Sequence, residues 1–272
     1  MAFANNQGTR IYWDEQGRGE PVLLVMGLGW ASNMWHRTRP ALARRFRTIA
    51  FDNRGAGRSD VPTGPYAMAT MACDAAAVLD AAGVESAHLV GASMGGMISQ
   101  EFALQYPKRA RSLVLACTTP GGPHAVQAEP SALQMLFQRT GGPRERAEAA
   151  VPFIYDASTP RERIDDDLKV LSEWYPIPEG YMSQLQGILA WEAYSRLPQV
   201  SVPTLIIHGE NDGLVPAGNA DVIAERIPDS RLVKIPHASH IFMTDQPEQA
   251  LQAILEFLGA RVQEGVNASK GQ

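Results

Sequence analysis

The sequence lacks a long apolar run and an excess of basic residues. Its 272 residues include 24 Lys and Arg against 29 Asp and Glu, and the net charge of −5 leaves no surplus to hold nucleic acid or anionic lipid. No apolar stretch approaches the roughly 18 residues that a membrane-spanning helix needs. The opening residues, MAFANNQGTRIYWDEQG, contain neither a basic nor an apolar segment. We therefore expect no signal peptide, no membrane span and no nucleic-acid partner.

Cysteine is also scarce. Cys73 and Cys117 are the only two in the chain, and each lies in an apolar segment. A disulfide framework is thus disfavoured, and we expect two buried free thiols in a reducing compartment, the cytoplasm. Neither a CxxC pair nor a His-x-x-x-His pair is present, so we expect no metal ion and no cofactor.

Apolar runs of strand length alternate with helical patterns along most of the chain. The continuous runs are PVLLVMG, RTIAFDN, SAHLVGA, ARSLVLACT, VPTLIIHGEND and SRLVKIP. Such runs are typical of strands covered on both faces, whereas the alternating TRIYWDEQ predicts the outer strand of a hairpin. Helical patterns lie between the runs, for example at 33–45 and 68–83. The alternation predicts an α/β fold with a mostly parallel sheet and helices on both faces.

The alternation is interrupted once, after the sixth strand or so. The interrupting segment contains no strong buried strand and is rich in proline, glycine, charge and aromatic residues. We interpret residues 120–197 as a helical cap inserted into a core formed by 1–119 and 198–272. The cap is expected over the edge where the parallel strands end, which is where such sheets bind ligands.

The stretch VGASMGG, residues 90–96, joins a buried strand to a helix. It matches the G-x-S-x-G pattern of a nucleophile elbow, in which a sharp turn exposes a serine hydroxyl above the sheet. Gly91 and Gly95 lack the side chains that would collide in such a turn. A tight turn that happens to contain a serine is the simpler alternative. The strand-to-helix context favours Ser93 as a nucleophile.

A serine nucleophile needs a base, and the base needs an orienting acid. Asp212 follows the strand run TLIIHG, and His240 follows LVKIP. Both are expected at the same sheet edge as Ser93, in the chain order serine, acid, histidine. Asp212 could instead cap a turn, and His237 competes with His240. We favour His240 because a base needs a longer loop to reach back towards the serine.

Two backbone N–H groups are candidates for an oxyanion hole. The N–H of Met94 opens the helix after Ser93, where free N–H groups favour a developing negative charge. The second is the N–H of Leu28 in MGLGW, where flanking glycines let the backbone approach a ligand closely.

Five segments, VLLVMGLG, FDNRGAGRSD, GASMGG, HGENDGLVP and HASH, occur in this order. With them the chain resembles the α/β-hydrolase superfamily over about residues 9–260, and within it carboxylesterases, enol-lactonases and anthracycline methylesterases. The resemblance implies an eight-stranded, mostly parallel sheet, a helical cap and a Ser93–Asp212–His240 triad. The chain departs from the family in having Met26-Gly27 where His-Gly is frequent, and His237 at a position usually held by glycine.

These features predict a cofactor-free serine hydrolase of esters or lactones. Perhydrolases of the haloperoxidase type, C–C bond hydrolases and ligand receptors with residual activity share the motifs and stay open. The segment between Pro120 and Pro198 carries eleven acidic and seven basic residues, which favours a neutral, hydrophobic small molecule. Trp30, Trp174 and Trp191 are the substrate-binding candidates. An inward Arg139, Arg144 or Arg196 would indicate an anionic substrate instead, and a homo-oligomer stays open.

Overall fold

The apolar runs all form strands of one sheet. The computed structural model describes residues 2–138 and 140–270, with side chains up to residue 262. The strands are β1 (Ala2–Asn6), β2 (Thr9–Gln16), β3 (Pro21–Val25), β4 (Arg47–Phe51), β5 (Ala87–Ala92), β6 (Ala110–Ala116), β7 (Thr204–Gly209) and β8 (Ser230–Ile235). Across the sheet they lie in the order β1-β2-β4-β3-β5-β6-β7-β8.

The sheet is parallel except at one side. Strands β3 to β8 pair with one another in parallel, whereas β1 pairs antiparallel with β2, and β2 with β4. The eight-stranded, mostly parallel sheet is confirmed. Residues 9–16 do form a hairpin strand, but β2 is its inner strand, because β1 lies outside it at the edge of the sheet. The carboxyl ends of the six parallel strands therefore share one edge, where Ser93, Asp212 and His240 follow β5, β7 and β8.

Helices connect the strands and cover both faces of the sheet. In chain order they are α1 (Arg39–Leu42), α2 (Met68–Ala81), α3 (Met94–Gln105), α4 (Pro130–Leu136), α5 (Pro143–Ile154), α6 (Arg161–Leu171), α7 (Pro178–Leu189), α8 (Gly218–Arg226), α9 (Phe242–Asp245) and α10 (Pro247–Lys270). The helix predicted over 33–45 is replaced by a 3-10 turn at Ser32–Trp35 and the short α1. Pro40 accounts for the break, because it has no backbone N–H and so cannot donate a hydrogen bond to the preceding turn, as a continuous helix would require.

The core consists of two apolar layers, one on each face of the sheet. Successive residues of β3 alternate between them: Leu23 and Val25 pack into one layer, Val22 and Leu24 into the other. All four side chains are fully buried. A strand buried on both faces explains why the sequence shows a continuous apolar run rather than an alternating one.

The segment between β6 and β7 forms helices α4 to α7 and contributes no strand to the sheet in its described part. Its two ends lie side by side: Gly121 and Glu192 form an isolated antiparallel bridge, and the Ala193 N–H donates to the Pro120 carbonyl at 2.8 Å. The treatment of 120–197 as a separate cap stays a prediction. Across the described residues, no helix is long and apolar enough to cross a bilayer.

Candidate active site

Ser93 occupies a strained turn between β5 and α3. Its φ of 56° and ψ of −121° lie in a region that residues with a side chain rarely adopt. The turn depends on its glycines. A Cβ on Gly91 would collide with the Gly95 carbonyl, and one on Gly95 with the carbonyl of Val25. The Ser93 N–H donates to the Ala116 carbonyl of β6 at 2.8 Å, so the neighbouring strand holds the turn at the sheet edge.

His240 and Asp212 form a buried hydrogen-bonded pair. Nδ1 of His240 lies 2.8 Å from Oδ2 of Asp212, and both residues are only 5% exposed. A carboxylate can only accept here, so Nδ1 carries the proton and Nε2 of the neutral ring is left as an acceptor. The second carboxylate oxygen, Oδ1, accepts from the backbone N–H groups of Leu214 and Val215 at 3.0 and 2.8 Å.

A second histidine, not assigned to the site by the sequence analysis, contacts the same carboxylate. Nε2 of the fully buried His208 lies 3.1 Å from Oδ2 of Asp212 and 2.7 Å from the Val215 carbonyl oxygen. Both neighbours are acceptors, so the proton resides on Nε2. Its Nδ1 is buried and has no partner among the described residues. The i, i+4 spacing in HGEND is the signal that could have identified His208.

The pKa of Asp212 is strongly lowered. Burial by itself raises the pKa of a carboxyl group, but the charge of His240 and the hydrogen bonds from His208 and His240 outweigh burial and lower the pKa to about 2. Asp212 is therefore ionised throughout the neutral range and can stabilise a charged imidazole beside it.

His237 lies outside this arrangement. Its side chain is exposed, and its φ of 53° is left-handed. That backbone conformation explains why a glycine is usual at this position in the family that the sequence resembles. Its carbonyl oxygen accepts from Gln246 Nε2 at 3.1 Å. The geometry favours His240 over His237 as the base.

The two predicted oxyanion donors are the N–H of Leu28, in the loop after β3, and the N–H of Met94, the first residue of α3. Within the described chain, the N–H groups of Leu28 and Met94 have no hydrogen-bond acceptor, whereas the next N–H along the first loop, that of Gly29, donates to Gln184 Oε1 at 2.7 Å. A Cβ on Gly27 would lie 3.1 Å from the Cβ of Ser93, which places this loop directly against the serine.

Ser93 and His240 both line a cavity of about 490 Å³ between the sheet edge and the inserted helices. Leu28 and Trp30, from the loop after β3, also line this cavity. A role of Trp30 in substrate binding stays a prediction. Most of the other lining residues are apolar, among them Met26, Met34, Met97, Leu133, Leu136, Leu168, Leu185, Leu214 and Ile241. The size and lining suit a small or medium-sized apolar ligand.

Comparison with known proteins shows the family. A family model described as the alpha/beta hydrolase fold matches residues 20–247. The chain belongs to the α/β-hydrolase family. A protein of Azorhizobium caulinodans named as the carbamate hydrolase RutD is 32% identical over 272 residues, which cover 95% of this chain and 98% of that protein.

Solved structures of the family superpose closely on this α/β-hydrolase. A thermophilic esterase from Thermogutta terrifontis aligns with a TM-score of 0.83 at 30% identity, over 96% of this chain and 98% of its own. An enol-lactonase from Burkholderia xenovorans LB400 aligns with a TM-score of 0.83 at 25% identity, over 95% of this chain and 100% of its own.

Two of the three predicted substrate-binding tryptophans of this α/β-hydrolase lie away from the described cavity wall. Trp174 is 38% exposed, and the Arg58 guanidinium lies 5.3 Å from its ring centroid. Trp191 packs into the core, and its Nε1 donates to Glu101 Oε2 at 2.9 Å. An indole N–H needs a partner when it is buried, and Glu101 of α3 provides one. The structure thus corrects the assignment of both residues to the substrate site.

Two of the three arginines considered as a carboxylate clamp also lie away from the described cavity wall. Arg144 is exposed, and Arg196 forms an ion pair with Glu101; Arg139 lies outside the described residues. The described cavity wall of this α/β-hydrolase instead includes Arg37 and Arg146.

Arg37 belongs to a buried polar cluster that joins the inserted helices to the core. The carboxylate of Asp167 in α6 accepts from Arg37 Nε at 2.7 Å, from Thr244 Oγ1 at 2.6 Å and from the Tyr155 hydroxyl at 3.1 Å. Burial acts to raise the pKa of Asp167, but the hydrogen bonds from His36 and Thr244 and the charge of Arg37 outweigh it and lower the pKa. The charge of Arg37 is therefore largely offset within the cavity wall.

The end of α5 and the chain that follows it contact the loops that carry Asp212 and His240. Asn211, which precedes Asp212, donates from Nδ2 to Asp156 Oδ2 at 2.7 Å. The Ile241 N–H, which follows His240, donates to the Ile154 carbonyl at 2.8 Å. Part of the insertion therefore supports the loops on which Asp212 and His240 lie.

Proposed function

We propose that this α/β-hydrolase cleaves neutral, hydrophobic carboxylic esters or lactones without a cofactor, and that Ser93 is its nucleophile. One observation carries the proposal: Asp212 holds His240 by a 2.8 Å hydrogen bond, and His240 and Ser93 line the same cavity. A histidine held in this way presents Nε2 as the acceptor for a serine proton.

The chemistry has two stages. Ser93 Oγ attacks the carbonyl carbon while its proton passes to Nε2 of His240, and the N–H groups of Leu28 and Met94 donate to the resulting oxyanion. The bond from the carbonyl carbon to the alkoxy oxygen then breaks, and His240 returns the proton to that oxygen. Water attacks the acyl-enzyme and gives a proton to His240, which passes it to Ser93 Oγ as the bond from the acyl carbon to that oxygen breaks and the acid is released.

The proposed preference for neutral substrates rests on charge. The cavity wall is predominantly apolar, and Asp167 offsets the charge of Arg37. The inserted segment carries more acidic than basic residues. An anionic substrate placed beside Arg37 would therefore lose hydration without gaining an unpaired cation there.

Carbamate hydrolysis is a second candidate, favoured by the 32% identity to a protein named as a carbamate hydrolase. It uses the same attack on a carbonyl carbon. We also propose a cytoplasmic location, which the two free thiols of Cys73 and Cys117 support.

The test is a panel of nitrophenyl esters, lactones and carbamates, assayed on the wild type, Ser93→Ala and the control Ser172→Ala. Ser172 is exposed on the inserted segment. We expect Ser93→Ala to fold normally and to lose several powers of ten in rate, with Ser172→Ala unchanged. A third of wild-type turnover in Ser93→Ala would refute the serine mechanism. Fewer than one turnover per wild-type molecule on every substrate would indicate a receptor instead.

A further inference from the structure

Helix α7 packs against the core along one face. Gly180 and Gly187 lie on this face at positions i and i+7. A Cβ on Gly180 would collide with the Gly55 carbonyl, and one on Gly187 with the Tyr66 carbonyl. Gln184 lies between them on the same face, at i+4, and the close approach of the helix to the core buries it completely.

The Gln184 amide bridges two core loops. Oε1 accepts from the Gly29 N–H at 2.7 Å, and Nε2 donates to the Arg54 carbonyl at 2.7 Å. A backbone N–H can only donate and a carbonyl can only accept, so the orientation of the amide is determined. Both hydrogen bonds are satisfied in a fully buried setting, where leaving either group unpaired would be unfavourable.

The first of these hydrogen bonds holds the loop that carries a predicted oxyanion donor. The Gly29 N–H and the Leu28 carbonyl belong to one peptide plane, directly after the Leu28 N–H. Glycines on both sides of Leu28 restrain the backbone little, and Gly29 is left-handed with a φ of 72°. The hydrogen bond to Gln184 supplies a restraint that these glycines cannot.

We infer that Gln184 is a positioning residue for the oxyanion hole, acting through Gly29 on the direction of the Leu28 N–H. The inference rests on the proposed function. The oxyanion exists only at and near the transition state, so a misdirected donor lowers kcat more than it weakens substrate binding. The loss in kcat is expected to be smaller than the loss caused by removing a donor altogether, which is about 10²–10³-fold.

The test compares Gln184→Met with Gln186→Met, the same substitution at an exposed position of the same helix. Methionine keeps the length of the side chain but cannot accept from Gly29. We expect Gln184→Met to lower kcat about 10- to 100-fold and to change KM less than about threefold. Gln186→Met should match the wild type.

Two inhibitors separate positioning from a general structural role. A trifluoromethyl ketone analogue of the ester can add Ser93 and form an oxyanion, whereas the corresponding secondary alcohol cannot. In Gln184→Met, affinity for the ketone should fall in parallel with kcat, while affinity for the alcohol stays within about threefold. Equal weakening of both inhibitors, or an unchanged kcat, would overturn the inference.

Two further variants complete the test. Gln184→Glu, which burial favours in its protonated form, keeps an acceptor for Gly29 and a donor for the Arg54 carbonyl. Its kcat should be closer to the wild type than that of Gln184→Met; an equal loss would count against the role of Gly29. If Gln184→Met does not fold, Gln184→Asn replaces it with the same outcomes, because its amide is one methylene short. Ser93→Ala distinguishes the two proposals: normal turnover there would refute the serine mechanism, whereas failure confined to Gln184 would refute only this inference.

Discussion

Replacing Asp212 with asparagine tests the electrostatics of the site. The carboxylate accepts four hydrogen bonds: Oδ1 from the N–H groups of Leu214 and Val215, and Oδ2 from His208 and His240. An asparagine has one acceptor oxygen and one NH₂ group. Whichever way the amide turns, two of the four donors face another donor.

The least unfavourable arrangement keeps the two backbone hydrogen bonds and turns the NH₂ group towards the histidines. His240 can then move its proton to Nε2 and accept at Nδ1, but it can no longer take the proton of Ser93. His208 cannot do the same without losing its bond to Val215. We therefore expect one buried donor to be left without an acceptor, which lowers the unfolding free energy by about 1–3 kcal/mol. We also expect kcat to fall by about 10³–10⁴-fold.

The assay measures kcat on a neutral nitrophenyl ester and unfolding in urea. Asp221→Asn is the control, because Asp221 is half-exposed and its ion pair with Lys234 lies on the surface. That control should keep full activity and lose at most about 1 kcal/mol. A kcat for Asp212→Asn within tenfold of the wild type, at an unchanged KM, would refute the orienting role of the carboxylate.

The same variant should also change how the unfolding free energy depends on pH. The pKa of Asp212 is lowered from 3.8 to about 2 in the folded protein, so its ionisation contributes stability that is fully present above about pH 4 and is lost as the pH falls through about 2. The shift corresponds to about 2 kcal/mol. The difference in unfolding free energy between wild type and Asp212→Asn should shrink as the pH falls below about 4.

Three other predictions concern the base, the substrate and the cap. His240→Ala should lose at least about 10³-fold in kcat, and His237→Ala less than about fivefold; a greater loss in His237→Ala would reverse the assignment. The kcat/KM for a neutral nitrophenyl ester should exceed that for an anionic analogue of similar bulk, and a clear preference for the anion would contradict the charge argument. Trp191→Phe should lower the unfolding free energy by about 1.5–3 kcal/mol because Glu101 loses a donor, whereas Trp174→Phe should stay within about 0.5 kcal/mol; equal urea midpoints for the two variants would argue against this account.

The strands and the elbow could be predicted because their signals are local. A strand covered on both faces must be apolar throughout, as β3 is, and a sharp strand-to-helix turn requires small residues around Ser93. Asp212 and His240 could be proposed because a parallel sheet brings the ends of its strands to one edge. Each of these inferences uses only neighbouring residues and one rule of topology.

Roles that depend on long-range contacts could not be predicted in this way. Gln184 meets Gly29 across 155 positions of sequence, and nothing in the segment GYMSQLQG distinguishes Gln184 from the exposed Gln186. Trp191 was assigned to the cavity because aromatic residues often line pockets, but its partner is Glu101, 90 positions away. In α6, three consecutive aspartates look alike in sequence, although only Asp167 is buried; Asp166 also pairs with Arg37, at 3.8 Å, but stays exposed.

The adjacent ends of the insertion bear on how this enzyme could evolve or be re-engineered. Because Pro120 and Ala193 are joined by a backbone hydrogen bond, another insertion with ends equally close could be exchanged for this one without moving β6 or β7. Such an exchange would also remove Gln184 and Asp156, which contact the loops next to the oxyanion donor and Asp212. A chimera made at this junction is therefore expected to fold but to have low catalytic activity. Mutations that restore these two contacts should raise that activity.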